Sequence, residues 1–218
     1  MNFKELQEQL AQTKTTLVAV SKTKPNEKIL SLYEQGQRDF GENRVQEMAD
    51  KYAALPQDIR WHFIGHLQTN KVKYMAEFVH LVHSVDRQKI LKEINKRAKQ
   101  HDRVIDCLLQ FHIAEEESKF GFDLAEAKGM LEAEAFKNFN NIRICGVMGM
   151  ATFTEDEQKV RREFQALHKI FDTLHTNYFA DQPHFREISM GMSGDYPIAQ
   201  EEGSTMVRIG SLLFGPRT

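Results

Sequence analysis

Lys22 ends the run Thr16-Leu17-Val18-Ala19-Val20-Ser21-Lys22. A short apolar stretch rich in β-branched residues reads as a buried strand, and Lys22 and Lys24 followed by Pro25 stop it. Lys22 then stands at a strand's carboxyl end, the edge at which α/β folds bind ligands. An amine partly desolvated there gives up its proton more readily and can attack an aldehyde to form a Schiff base. For a single strand-end lysine the plainer role, keeping a strand end hydrated, is the stronger one, so the case depends on what gathers beside it. Two segments matter: Gly191-Met192-Ser193-Gly194-Asp195 and Arg208-Ile209-Gly210-Ser211. Ser193 and Ser211 offer hydroxyls, and Ser193, Gly194, Gly210 and Ser211 offer amides, the donors that hold a phosphate; either segment alone reads as a turn. Arg208 lies inside the apolar Met206-Val207-Arg208-Ile209. A guanidinium cannot shed its charge, so Arg208 must meet a carboxylate, a solvated edge or a ligand acceptor, and an ion pair and a ligand role are equally good accounts of it.

These groups need a scaffold, and the chain supplies an alternation. Phe3, Leu6 and Leu10 predict an opening amphipathic helix before the first strand. Pro25 suits the first turn of a helix that bears Ile29, Leu32 and Tyr33 and ends at Gly36. Strands are then expected at 38–43, 61–65, 81–85, 106–113, 142–150, 187–192 and 206–213. Helical stretches between them are marked by Val45, Met48 and Tyr52; by Val72, Met75 and Ala76; by Ile90, Leu91, Ile94 and Ala98; by Leu124, Ala127, Leu131 and Ala135; and by Val160, Phe164, Leu167, Phe171 and Leu174, with a short helix near Pro197 to Glu202. Continuously apolar strands point to a parallel sheet covered on both faces, and eight such units close naturally as a (β/α)₈ TIM barrel forming a single domain, 1–218. A doubly wound open sheet is the alternative, but no Gly-x-Gly-x-x-Gly follows the first strand and no Walker loop is present. In a barrel, the loops after the seventh and eighth strands are a frequent phosphate site, and both glycine–serine segments fall there.

The 218 residues are 41% hydrophobic, enough for a sizeable core, and although 28% are charged the net charge is only -2. No bulk field draws such a chain to nucleic acid or membrane. Cys107 and Cys145, the only cysteines, fall in expected buried strands, too few for a disulfide framework or zinc site. With no signal peptide or spanning segment recognised, a cytoplasmic protein is expected. His62, His66, His80, His83 and His112 are scattered over several strands without metal-ligand spacing, so core and surface roles are expected and no metal.

A phosphate cradle, an amine and a fixed cation at one barrel mouth suggest pyridoxal phosphate. Lys22 would carry the Schiff base, the serine and glycine loops the phosphate, and Arg208 would meet the pyridine nitrogen. An arginine there leaves that nitrogen unprotonated and weakens the ring as an electron sink.

Longer motifs add to this: Ala19-Val20-Ser21-Lys22-Thr23-Lys24-Pro25, Phe40-Gly41-Glu42-Asn43, Trp61 through Lys71, Glu117-Ser118-Lys119-Phe120-Gly121, Gly146-Val147-Met148, Gly191-Met192-Ser193, and Gly203 through Gly210 with Phe214-Gly215. In these, almost end to end, the sequence resembles the pyridoxal phosphate homeostasis proteins, which look like the barrel domain of alanine racemase standing alone. The resemblance implies Lys22 as the Schiff-base lysine, Ser193, Gly210 and Ser211 around the phosphate, Arg208 at the ring nitrogen and Asn43 near the cofactor. It also matches Lys119 to a family lysine, a candidate secondary cofactor-handling amine. His66 departs modestly from the family's usual residue, outside this set. Fold alone would suggest a racemase. Two-base racemisation, however, needs an acid or base on each face, and the racemase resembled here draws its second, a tyrosine, from a C-terminal domain of the partner subunit, whereas the chain ends at Thr218, just after the last expected strand. The expectation is therefore a monomeric protein that carries or buffers pyridoxal phosphate in vitamin B6 homeostasis without significant turnover, with apo pyridoxal-dependent enzymes as recipients. Weak racemase or other pyridoxal-dependent activity is the alternative.

Overall fold

The computed structural model describes residues 2–115 and 120–215; Lys119 lies outside them. Eight strands, β1 (Thr16–Val20), β2 (Asp39–Glu42), β3 (Arg60–Phe63), β4 (Leu81–Val85), β5 (Ile105–Gln110), β6 (Ile142–Met148), β7 (Glu187–Ser189) and β8 (Met206–Ile209), close in sequence order into one barrel. All neighbours are parallel, and β1 seals it against β8 by pairing Val18 with Arg208 and Ala19 with Ile209. The closed barrel is the expected fold, and the open-sheet alternative falls away.

Outside the strands lie α1 (Phe3–Gln12), α2 (Asn26–Glu34), α3 (Val45–Ala54), α4 (Gln88–Gln100), α5 (Leu124–Glu132), α6 (Glu134–Lys137), α7 (Glu157–Leu174), α8 (Tyr196–Glu201) and α9 (Ser211–Phe214). α4 shows the logic: Ile90, Leu91, Ile94 and Ala98 are buried on one stripe while lysines and arginine hold the other in water. The main core lies between helices and strands and includes Phe40, Trp61, Phe63, Val82, Leu109, Val147, Phe164 and Val207. Inside the barrel is a second, smaller apolar cluster of Val18, Leu81, Leu108, Cys145, Met148 and Met206. Strand alternation makes this division, because neighbouring residues point to opposite faces of the sheet.

Several expected boundaries shift. Pro25 caps α2 and is not in its first turn. The apolar stretch at 124–135 breaks at Ala133 (φ -65, ψ 137), so Ala135 belongs to the separate α6. The eighth strand stops at Ile209, and Ser211–Phe214 turns into the short α9, so the expected strand through Leu213 is too long. The turn near Val72 is a 3₁₀ helix over Thr69–Tyr74, leaving Met75 and Ala76 just past it.

Two register shifts bend the barrel. Between β5 and β6 the pairing moves from Cys107 with Ile144 to Leu108 with Gly146, so Cys145 is an extra residue on β6. Gly146 sits at φ +151, and a Cβ there would lie 1.8 Å from the Glu187 carbonyl oxygen, so only glycine fits the bulge. The second shift, between Val82 and Val85 of β4, falls on His83 and Ser84.

Candidate functional site

Past Val20 the chain makes a tight turn, with Lys24 N–H donating to the Ser21 carbonyl at 3.0 Å and Lys22 at its second position. Thr23 holds φ +63, a conformation a β-branched residue rarely adopts and one that costs about 1–3 kcal/mol. A buried ion cluster holds it there. Ser21 Oγ donates to Glu42 Oε1 at 2.6 Å, and Thr23 N–H donates to Glu47 Oε1 at 2.6 Å. Lys51 Nζ donates to the Ser21 carbonyl at 2.8 Å and to Glu42 and Glu47 at 2.7 Å each. Glu42 and Lys51 are 0% and 6% exposed. Burial pushes the Glu42 carboxyl up against the pull of Lys51, and its Oε2 is one of the buried polar atoms lacking a hydrogen bond among the described residues. The residues on either side of Lys22 are thus clamped from β2 and α3. None of Glu42, Glu47 and Lys51 was singled out from sequence. The available signal was Glu42 itself, a carboxylate in the short strand Phe40-Gly41-Glu42 that must be paired if buried.

Beside the lysine turn at the mouth, where β8 borders β1, the strand gives way to Gly210, whose N–H donates to Ser193 Oγ at 3.3 Å. That bond ties together the loops after β7 and β8. A Cβ on Gly210 would lie 3.1 Å from the Val20 carbonyl, a close approach to β1. Gly191 has φ +96 and accepts from Arg208 N–H at 2.9 Å. Met192 N–H donates to Asp195 Oδ1 at 2.5 Å, closing the Met192–Asp195 loop. Ser211 opens α9, whose first hydrogen bonds run from Leu213 and Phe214 N–H to the Gly210 carbonyl, leaving the amides of Ser211 and Leu212 without an acceptor inside the helix.

Arg208 is 4% exposed. Its Nη1 donates to Ser189 Oγ at 2.6 Å and its Nη2 to the Gly149 carbonyl at 2.9 Å, both neutral acceptors. Desolvation pushes its pKa down to about 10, with Asp195 pulling the other way, so the guanidinium stays charged at neutral pH. Of the three expectations for this arginine, a direct structural ion pair is not what is found among the described residues.

A cavity of about 910 Å³ occupies the carboxyl-end mouth. Lys22, Asn43, Ser193, Arg208, Gly210 and Ser211, the six residues singled out from sequence, all line it. Around them stand Lys24, Thr152, Glu155, Glu157 and Asp195. Lys24 Nζ donates to the Phe214 carbonyl at 3.2 Å, linking the lysine turn to α9. Among the described residues no tyrosine and no histidine lines this cavity.

The amino-terminal rim carries a different cluster. Arg60 donates to both oxygens of Asp39 at 2.7 and 2.6 Å, and His62 Nε2 lies 3.0 Å from Asp39 Oδ1. Asp39, His62 and His80 bring one ligand-type atom each within 4.8 Å of one another, a gathering that spacing along the chain did not reveal. Arg60 already occupies both Asp39 oxygens and Arg143 lines the same pocket, so the field there opposes a cation. Burial works against ionisation of Asp39, but hydrogen bonds from Arg60 and His62 prevail and hold its carboxyl well below the usual range. A depressed folded-state value means stabilisation that is fully present above about pH 4 and drains away as the pH falls towards that value. Asp39→Asn should therefore flatten the acid side of a urea-midpoint curve measured from pH 6 to pH 3. An unchanged acid slope would contradict the assignment.

The fold and the cavity together define a class. The sequence model described as alanine racemase, N-terminal domain, matches residues 1–218. A pyridoxal phosphate homeostasis protein of Aquifex aeolicus is 43% identical over 202 residues, covering 92% of this chain and 86% of its own length. The protein of that name from Escherichia coli K12 is 38% identical over 209 residues, covering 93% and 86%. Among solved structures, PipY of Synechococcus elongatus is similar without PLP (TM-score 0.88) and with PLP bound (TM-score 0.85), at 33% identity over 97% of this chain and 99% of that one. An alanine racemase of Bartonella henselae shares the fold at TM-score 0.71, 18% identity, 95% of this chain and 59% of that one. The chain belongs to the alanine racemase N-terminal domain family and, within it, to the pyridoxal phosphate homeostasis proteins. Among the described residues no helix is long and apolar enough to cross a membrane.

Proposed function

We propose that this chain, as a single domain over 1–218, binds pyridoxal phosphate in the carboxyl-end cavity, with Lys22 as its Schiff-base partner, and carries or buffers the cofactor in the cytoplasm without significant turnover. One observation carries the reading: a primary amine, a buried guanidinium with neutral partners and two bonded glycine–serine loops line the same cavity. That donor set fits the group. Gly194 and Gly210 line the cavity without a side chain, and the amides of Ser211 and Leu212 at the start of α9 can donate to an anion. The PLP-bound PipY and the names of the relatives point to the same ligand.

When bound, the cofactor supplies an aldehyde and an electron-accepting ring. Lys22 contributes the nucleophile, and the turn closed by Lys24 and clamped by Lys51 fixes where it stands. Ser193 and Ser211, with the amides of Gly210 and Ser211, would hold the phosphate, and Asn43 would flank the ring. Arg208, a permanent donor, would face the ring nitrogen and keep it unprotonated, which disfavours carbanion chemistry. Two-base racemisation also needs an acid or base on each face; the described lining holds no tyrosine or histidine but does hold Lys24, Glu155, Glu157 and Asp195, so α-hydrogen exchange is the direct test. The chain is read as a monomer that hands cofactor to apo pyridoxal-dependent enzymes.

Loaded protein, freed of excess cofactor by gel filtration, should restore activity to an apo aminotransferase while exchanging no α-hydrogen of alanine or serine in deuterated water. Failure to reactivate the apoenzyme would sink the carrier role. Washout of deuterium at a steady rate would establish the racemase-like alternative.

A further inference from the structure

Arg208 lacks a carboxylate within hydrogen-bonding distance among the described residues, yet its hydrogen bonds lead to one. Its Nη1 donates to Ser189 Oγ at 2.6 Å. Ser189 Oγ lies 2.9 Å from His83 Nδ1, His83 Nε2 lies 2.9 Å from His62 Nδ1, and His62 Nε2 lies 3.0 Å from Asp39 Oδ1. Five strands contribute, β8, β7, β4, β3 and β2, and the bond from His83 to Ser189 spans the barrel interior from β4 to β7. His83 and Ser189 are each 0% exposed. Arg208 lines the cavity at the carboxyl end, while Asp39 and His62 line the pocket at the amino-terminal rim. The β4 register shift falls on His83 and Ser84, the kind of local irregularity that re-aims a side chain.

We infer that Asp39, His62, His83 and Ser189 are positioning residues for Arg208, joined in one directed hydrogen-bond relay that ties the guanidinium at the cavity to a carboxylate at the opposite rim. The direction follows from elementary satisfaction of donors and acceptors. Asp39, held ionised by Arg60 and His62, can only accept, so His62 Nε2 donates to it. At the other end the buried Ser189 hydroxyl, which accepts from Arg208, has His83 Nδ1 as the acceptor for its own proton, so that nitrogen is bare. His83, kept neutral by burial, then carries its proton on Nε2 and donates it to His62 Nδ1, which must be bare to accept. The Ser189 oxygen is left to accept from Arg208. Every bond points from cation to anion, the arrangement in which consecutive hydrogen bonds polarise one another. A buried charge whose hydrogen-bond partners are neutral is thereby coupled to a carboxylate at the far rim, in addition to the pull of Asp195 in the cavity lining.

The consequence for ligand binding rests on the proposed role of Arg208 at the pyridine nitrogen; the relay itself is a property of the unliganded chain. Two arms separate them. In the unliganded wild type, imidazole ¹⁵N spectra should show His83 protonated at Nε2 and bare at Nδ1. In Asp39→Asn an amide can turn its N–H towards His62, which favours the opposite tautomer, so the His83 pattern should reverse. In the second arm, titration with pyridoxal phosphate should show Asp39→Asn and Ser189→Ala each weakening binding on the order of tenfold. The double variant should be no weaker than Ser189→Ala alone, because the link is already cut. His83 protonated at Nδ1 in the wild type, or factors that multiply in the double variant, would overturn the inference. If the wild type binds no pyridoxal phosphate, the cavity reading fails, and the ¹⁵N pattern alone decides the relay.

Discussion

Lys51→Met should lower the stability of this chain by about 3–5 kcal/mol, the cost of leaving one member of a buried ion pair without its partner. Lys51 is 6% exposed and Glu42 0%, so no water replaces the lost ammonium on Glu42. Three bonds vanish with it, to the Ser21 carbonyl and to Glu42 and Glu47. Glu42 would then take up a proton, and the sign of the pH effect follows. With its folded-state value raised above the unfolded one, Glu42 makes stability fall as pH rises from about 4.3, so the deficit of the variant should shrink on acidification towards pH 4. Urea unfolding at pH 4.5 and pH 7.5 measures both effects. A loss below about 1 kcal/mol at pH 7.5 would mean that the cluster does not hold the lysine turn. Glu42→Gln combined with Lys51→Met should recover part of the loss, since the stranded charge is then gone.

Lys22→Ala should abolish the visible absorbance band that pyridoxal phosphate develops on the wild type and weaken binding by on the order of 100-fold or more. The substitution removes the nucleophile and leaves Ser193, Gly210, Ser211 and Arg208 to hold the ligand through its phosphate and ring. The fold should persist, because the bonds from Ser21, Thr23 and Lys51 that clamp the turn remain in the variant. The two variants therefore divide the site: Lys51→Met costs stability first, and Lys22→Ala costs the covalent attachment alone. Equal binding by wild type and Lys22→Ala would leave the cavity as a phosphate site with no role for the amine.

The barrel was legible because its strands are short apolar runs separated by helical periodicity, a pattern only a doubly covered parallel sheet explains. The mouth was legible for a related reason: strand ends at Lys22, Ser193 and Gly210 must share one rim once the barrel closes. What spacing could not give is contact across the barrel. His62 and His83 are 21 residues apart and His83 and Ser189 are 106 apart, yet they bond inside the barrel. Strand parity places such residues on the inner face without saying which will meet, and the register shift at His83–Ser84 leaves no trace in composition. Arg208 shows the limit well. The sequence demanded a partner for it, and the structure answers with a hydroxyl and a carbonyl, the carboxylate standing four hydrogen bonds away at Asp39. At α9 the error was local: Ile209-Gly210-Ser211-Leu212-Leu213 reads as strand throughout, but the chain turns at Gly210 (φ -123, ψ -65).

The central claim is that the amine of Lys22 is the group that attaches to the cofactor aldehyde. Borohydride reduction of the protein mixed with stoichiometric pyridoxal phosphate, followed by peptide mass spectrometry, tests it in one step. A single phosphopyridoxyl label on Lys22, with cleavage after that residue blocked, is the expected result. A label confined to Lys24, Lys51 or another lysine, or no stable label on any, would contradict it.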